Sequence, residues 1–189
     1  AYVAALLALS GVELQKLQLA SAEARVDQAD LVLRDAGHGL VRAWSSSLRG
    51  ELAMMRGQLD QAKRKHEEAL AQRTQLDSRG FAAESHASLA QVALLSSSPR
   101  EAIEHAERAV PLFRVDGQRD GEAWATAILG AAHAALRHKE EAIALAKQVE
   151  VLSQDCPYPP MRASILSMLS RLYSELALIK ESADCANQI

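Results

Sequence analysis

The six histidines are the side chains best suited to binding a metal or moving a proton: His38, His66, His86, His105, His133 and His138. Two ligands on one helical face need the i, i+4 spacing. No pair has it. His133 and His138 stand five apart and straddle an expected helix end. Cys156 and Cys185 form no C-x-x-C pair, and nothing in the sequence supports a disulfide between them. Small buried apolar residues are the simpler account of both. No metal and no cofactor are expected.

The remaining motifs with chemical content dissolve on inspection. Gly37-His38-Gly39 follows no strand, and no G-x-x-x-x-G-K-[ST] occurs. Asp116-Gly117-Gln118-Arg119-Asp120-Gly121 lacks the alternating acids and closing Glu of a calcium loop, so it reads as a turn between helices. The runs Ser45-Ser46-Ser47 and Ser96-Ser97-Ser98 have no neighbouring base. Lys63-Arg64-Lys65 is followed by Glu67 and Glu68, so it reads as a solvated, ion-paired face. The expectation is a chain that is not an enzyme.

Composition agrees. The 189 residues carry 21 basic and 24 acidic side chains, with apolar residues at 49% and aromatics at only 4%. Residues 1–95 hold 11 basic and 11 acidic groups, and the remainder 10 and 13. Neither half is a basic nucleic-acid arm. No apolar block is long enough to cross a membrane. Ala1–Leu9 has no basic residue before it and no cleavage signal. The chain starts at Ala1, which reads as a processing or fragment boundary inside a larger cytoplasmic protein.

What must position any site is a repeat. Ala22 and Ala29, Ala62 and Ala69, and Ala102 and Ala109 recur at steps of 40, and Ala142 with Val149 continues the series. A poorer fifth copy is read at Ala183. Gly39, Gly80 and Gly121, with Asp35, Asp77, Asp116 and Asp155, keep nearly the same period and are read as turns and left-handed caps between helices. Ser98-Pro99-Arg100-Glu101 reads as a capping box with proline at the first helical position. Pro157, Pro159 and Pro160 force a loop. The expected helices are 2–16, 20–35, 40–56, 59–77, 81–96, 99–115, 120–137, 139–154, 160–177 and 179–188. Small residues let paired helices approach, and neither helix can bury its face alone.

This pattern resembles the tetratricopeptide repeat (TPR). The family's small helix-A position falls on Gly50, Ala90 and Gly130. Its helix-B alanines fall on Ala22, Ala62, Ala102 and Ala142, then on Ala29, Ala69 and Ala109. The inter-helix glycine is met only by Gly57. The helix-A Trp position holds Ser46, His86 and Thr126, the Tyr position holds Ala53, Ala93 and His133, and the final Pro is absent. The 40-residue step is similar to the long-repeat variant in sensor regions of large bacterial regulators, of the maltose-regulon activator type or beside ATPases, kinases and cyclases. The resemblance implies an all-α, right-handed superhelical array of about five helical hairpins. It would form one domain with repeats at about 1–37, 38–78, 79–117, 118–156 and 157–189.

The resemblance also implies a concave groove lined by the first helix of each hairpin. In that register the groove residues are Trp44, Ser47, Glu51, Met55, Glu84, Gln91, Leu95, Trp124 and Ala131. Met54, Ala87, Leu94, Ala127 and Ala135 share the face, with Met54 and Leu94 read as core. Trp44 and Trp124 occupy one repeat position and serve either as groove anchors or as fillers between helices. Repeats that clamp a C-terminal carboxylate need Lys and Asn where this chain has Ser47, Ala87 and Ala127, then Glu51, Gln91 and Ala131. An acidic tail is therefore not the expected ligand. The expected partner is a protein or peptide, such as an amphipathic helix or another domain of the same chain. A small effector is the alternative. Imperfect end repeats open a route to homo-oligomers.

Overall fold

The computed structural model describes residues 2–33, 39–154, 156 and 159–188. Among these residues every regular element is an α-helix. They are α1 (Tyr2–Gln15), α2 (Leu19–Leu33), α3 (Gly39–Met55), α4 (Leu59–Gln75) and α5 (Arg79–Leu95). Then follow α6 (Pro99–Val115), α7 (Arg119–Ala135), α8 (Lys139–Gln154), α9 (Pro159–Glu175) and α10 (Ile179–Ala186). From α2 onward the helices begin at residues 19, 39, 59, 79, 99, 119, 139, 159 and 179. The 40-residue repeat is thus two half-steps of equal length.

The turns explain the regularity. Leu17, Gly57, Asp77, Ser97, Gly117, Arg137 and Ala177 all have positive φ, between 48° and 72°. Each ends a helix with the paired Schellman bonds. Gln18 N–H donates to Glu13 O at 2.9 Å, and His138 N–H donates to His133 O at 3.0 Å. Only two of these positions are glycine, so sequence alone hides most of them. Gly39, Gly80 and Gly121 instead lie within the first turn of α3, α5 and α7, which corrects their reading as caps between helices. Close packing requires one of them. A Cβ on Gly121 would lie 2.6 Å from the Phe113 ring.

Two further expectations change. Ser98 precedes α6 and Pro99 starts it, but the Ser98 hydroxyl makes no capping bond. The backbone is already turned by Ser97. In α10 the repeat position falls on Ser182, whose hydroxyl donates to Ser170 O at 2.9 Å, while Ala183 is exposed. The readings placed on Asp35, Gly37, His38, Asp155 and Pro157 lie outside the described residues.

The chain packs as two compact units, Ala1–Ser85 and His86–Ile189. In the first, α1 packs on α2 and α3 on α4, with α3 also against α1 and α2. Leu6, Leu7, Leu14, Val26, Leu48 and Leu52 fill its core around the fully buried Ala22 and Ala29. Arg49 forks to Asp27 and Asp30, and Arg56 in the turn after α3 pairs with Glu23, tying this hairpin to α2. In the second unit, α7 packs on α6, α8 and α9, and α10 closes on α9. Its core is built from Ala142, Ala146, Val149, Ile165, Leu169 and Leu172. Cys156 and Cys185 are both buried, in keeping with a small apolar role.

Candidate functional site

In the first unit, α3 presents Leu40, Val41, Trp44, Ser47 and Glu51 at helical spacing. Leu40, Val41 and Trp44 form one wall of a cavity of about 430 Å³. Ala4 of α1, Arg73 of α4, and Phe81 and Glu84 of α5 complete it. Trp44 is half-buried, with part of its ring against the Leu48 and Leu52 core. It therefore fills a gap and lines the cavity at once. Phe81 and Leu40 stay exposed at 50% and 45%.

Arg73 organises the polar side. Its guanidinium is buried and donates through Nη1 to Phe81 O at 2.8 Å and to Ser85 Oγ at 2.7 Å. Nη2 lies 3.5 Å from Glu84 Oε2. The guanidinium carbon sits 5.6 Å from the Phe81 ring centroid. Glu51 feels the same cluster. Burial and the Glu84 charge raise its carboxyl to about 7, against the opposing pull of Arg73.

Of the other expected groove positions here, Ser47 is buried, with no hydrogen-bond partner for its hydroxyl among the described residues. Met55 is exposed at the end of α3, and Met54 is half-buried.

The second unit has its own cavity, of about 270 Å³. It gathers three expected residues, Gln91 and Leu95 of α5 and Ala131 of α7. Leu94 and Ala135 join them, with Met168, Arg171, Leu172 and Glu175 of α9. Trp124 does not line this cavity. It packs beside Met168 against the buried residues around Ile128 and Leu169. Ala87 and Ala127 are fully buried, so that repeat position serves helix packing.

The described residues hold no group of three or more His, Cys, Asp or Glu side chains placed to share a metal. His86 and His105 face each other with Nδ1 atoms 3.0 Å apart, and His133 and His138 do so at 3.3 Å. Burial, then the His105 charge, lowers His86 to about 4. The basic run is ion-paired through Lys65 and Glu68 at 2.8 Å. No helix among the described residues is long and apolar enough to cross a membrane.

Sequence reading missed Arg73 and Phe81. A signal for Arg73 existed. It shares the buried stripe of α4 with Ala62, His66 and Ala69, and an ionisable group on such a stripe needs partners. Phe81 carried no such mark.

Residues 41–115 match the tetratricopeptide-repeat family model. No curated protein sequence matches the chain. Solved structures match over nearly its whole length. The nearly identical TPR-like repeats of a candidate kinesin light chain from Podosopora anserina superpose with a TM-score of 0.70 at 18% identity, over 98% of this chain and 92% of that one. BtubC (BKLC) from P. vanneervenii gives 0.73 at 16%, over 95% and 75%. The apo form of RapI gives 0.76 at 10%, over 100% and 69%.

Proposed function

We propose that the chain, whose residues 41–115 match the tetratricopeptide-repeat family model and whose fold is that of TPR-like repeats, is a protein- or peptide-binding scaffold without catalytic activity of its own. The observation that carries this reading is the Trp44 cavity. An apolar hollow floored by a half-buried tryptophan and rimmed by exposed Phe81 and Leu40 suits an anchoring side chain of a partner. The Leu95 hollow of the second unit supplies another contact of the same kind, with Gln91 and Ala131 beside it. Glu51, Glu84 and Met55 extend the first surface, Ser47 supports it from within its packing, and Trp124 lies in the packing of the second unit.

In this reading the chain is the interaction region of a larger cytoplasmic regulator of bacterial type. Its partner is a peptide, a protein or another domain of the same polypeptide. The size of the Trp44 cavity favours one second reading, a small apolar effector, since about 430 Å³ lies within the range of small-molecule sites.

Panning a displayed library of helical peptides against the folded chain tests the scaffold. Enriched peptides should lose binding to Trp44→Ala or Leu95→Glu. Absence of enrichment, or binding indifferent to both changes, would sink the reading.

A further inference from the structure

The solvent side of α1 carries Tyr2, Ala5, Leu9 and Val12 on one stripe at helical spacing. Tyr2 is 63% exposed, Leu9 48% and Val12 45%. The stripe is uncharged as far as Lys16, which is exposed just past the end of the helix. These residues line neither cavity, so their role is separate from the scaffold reading above.

The repeat tells what covers such a stripe elsewhere. Leu17, Gly57 and Arg137 are the matching left-handed turns after α1, α3 and α7, which fixes the register. On α3 the four positions are Arg42, Ser45, Arg49 and Leu52. Arg42 donates to Leu33 O, and Ser45 and Arg49 donate to Asp30. Leu52 shares a buried cluster with Val26 and Ala29 of α2. On α7 the positions are Glu122, Ala125, Leu129 and Ala132. Glu122 accepts from Arg114 of α6, and Ala132 clusters with Ala102 of α6. In each unit, then, the stripe is covered by the second helix of the preceding hairpin. The pairing is antiparallel, since Leu33 meets Arg42 while Glu23 meets Arg56.

The α1 stripe differs in chemistry. Tyr2, Ala5 and Leu9 stand where Arg42, Ser45 and Arg49 meet a carbonyl and carboxylates. A helix like α2 would press Asp27 and Asp30 against apolar side chains, which is costly. Lys16 alone keeps a charge, at the place of Arg56. The 14 residues of α1 make a stripe about 21 Å long and about 10 Å wide. A stable dimer needs about 800 Å² from each partner. One helix fits this surface better than a second folded copy.

We propose that α1 is a docking edge for a single helix of a partner protein, laid antiparallel in the place that α2 takes on α3. The facing stripe of that helix is apolar, with one Asp or Glu near its N-terminal end opposite Lys16.

Two dye-labelled peptides test this by fluorescence anisotropy against the full chain. One is the α2 segment, Leu19–Leu33. The other is the same segment with Asp27→Leu and Asp30→Leu, which keeps Glu23. The altered peptide should bind about tenfold more tightly than the unaltered one. Leu9→Glu in the chain, at an exposed position that leaves the core intact, should weaken that binding about tenfold. Lys16→Glu should weaken it severalfold, and Glu23→Lys in the peptide should restore it.

Equal binding of the two peptides, or binding indifferent to Leu9→Glu, would overturn the proposal. So would sedimentation in which the parent self-associates and the Leu9→Glu chain does not, because a second copy would then hold the stripe. Failure of Lys16→Glu to respond to the charge exchange would overturn the assigned direction of the helix.

Discussion

The imidazole of His66 occupies the notch left by the missing side chain of Gly50. A Cβ built on Gly50 would lie 2.5 Å from His66 Nε2 and 2.7 Å from its ring carbons. One repeat later, Ala90 and Ala106 hold the same two positions and meet in one buried cluster. The two repeats occupy the same pair of positions with different residues.

That exchange is testable as a coupled pair. Gly50→Ala alone overpacks the notch and should cost about 1–3 kcal/mol. His66→Ala alone opens a cavity and should also destabilise. Together they recreate the Ala90–Ala106 arrangement, so the double variant should be more stable than the sum of the singles predicts. Urea unfolding of all four proteins measures this coupling. Strict additivity would show that the two residues do not share the space.

The same histidine makes stability depend on pH. Burial, then the Arg73 charge, lowers it from 6.5 to about 4, and neither ring nitrogen has a hydrogen-bond partner among the described residues. The unfolded chain takes up a proton at this site below pH 6.5, while the folded chain resists until about 4. The contribution of neutral His66 is complete above 6.5. It is lost as the pH falls through that window and levels off below about 4. The loss is ~3 kcal/mol. His86 acts with the same sign. Denaturation midpoints from about pH 7 to about pH 4 should fall less steeply in the Gly50→Ala/His66→Ala protein than in the parent.

Glu51 works in the opposite direction. Its carboxyl is raised from 4.5 to about 7 in the fold. Above 4.5 the unfolded chain ionises this group, and the folded chain does not follow until about 7. Stability is therefore lost as the pH rises through that interval and stays lower beyond it. Glu51→Gln should melt higher than the parent at alkaline pH and show little advantage in mild acid. A constant difference across the range would contradict the assignment.

The turns offer a test of backbone strain. Arg137 is exposed and held at φ 65°, a region costing a non-glycine residue roughly 1–2 kcal/mol. Arg137→Gly should stabilise the chain by about 1 kcal/mol after the added unfolded-state freedom is counted. Gly57 sits at φ 72° with open space around it, so Gly57→Ala should destabilise by a similar amount through the backbone alone. Thermal melts of the two variants should move in opposite directions.

Much of this fold was legible because alanine leaves a periodic trace. Ala22, Ala62, Ala102 and Ala142 are all fully buried where helices meet, and no larger residue fits a close helix pair. The turns were less legible. Their left-handed residues are Leu17, Asp77, Ser97, Arg137 and Ala177 as well as two glycines, because Schellman bonding is set by backbone geometry and tolerates these side chains. Gly121 misled for the complementary reason, being placed for close packing against Phe113.

The candidate site was half legible. Helical spacing on α3 placed Trp44 beside Leu40 and Val41. Arg73 and Phe81 reach the cavity from α4 and α5, and only tertiary packing brings those elements to it.

The central claim is that partners bind on the faces that α3, α5 and α7 turn to the two cavities. Hydrogen–deuterium exchange with and without a peptide enriched by panning tests it most directly. The account predicts new protection in α3 around Trp44 and Glu51, at the start of α5 around Phe81 and Glu84, or around Leu95 and Ala131. Protection confined to the exposed faces of α4, α6 and α8 would contradict it.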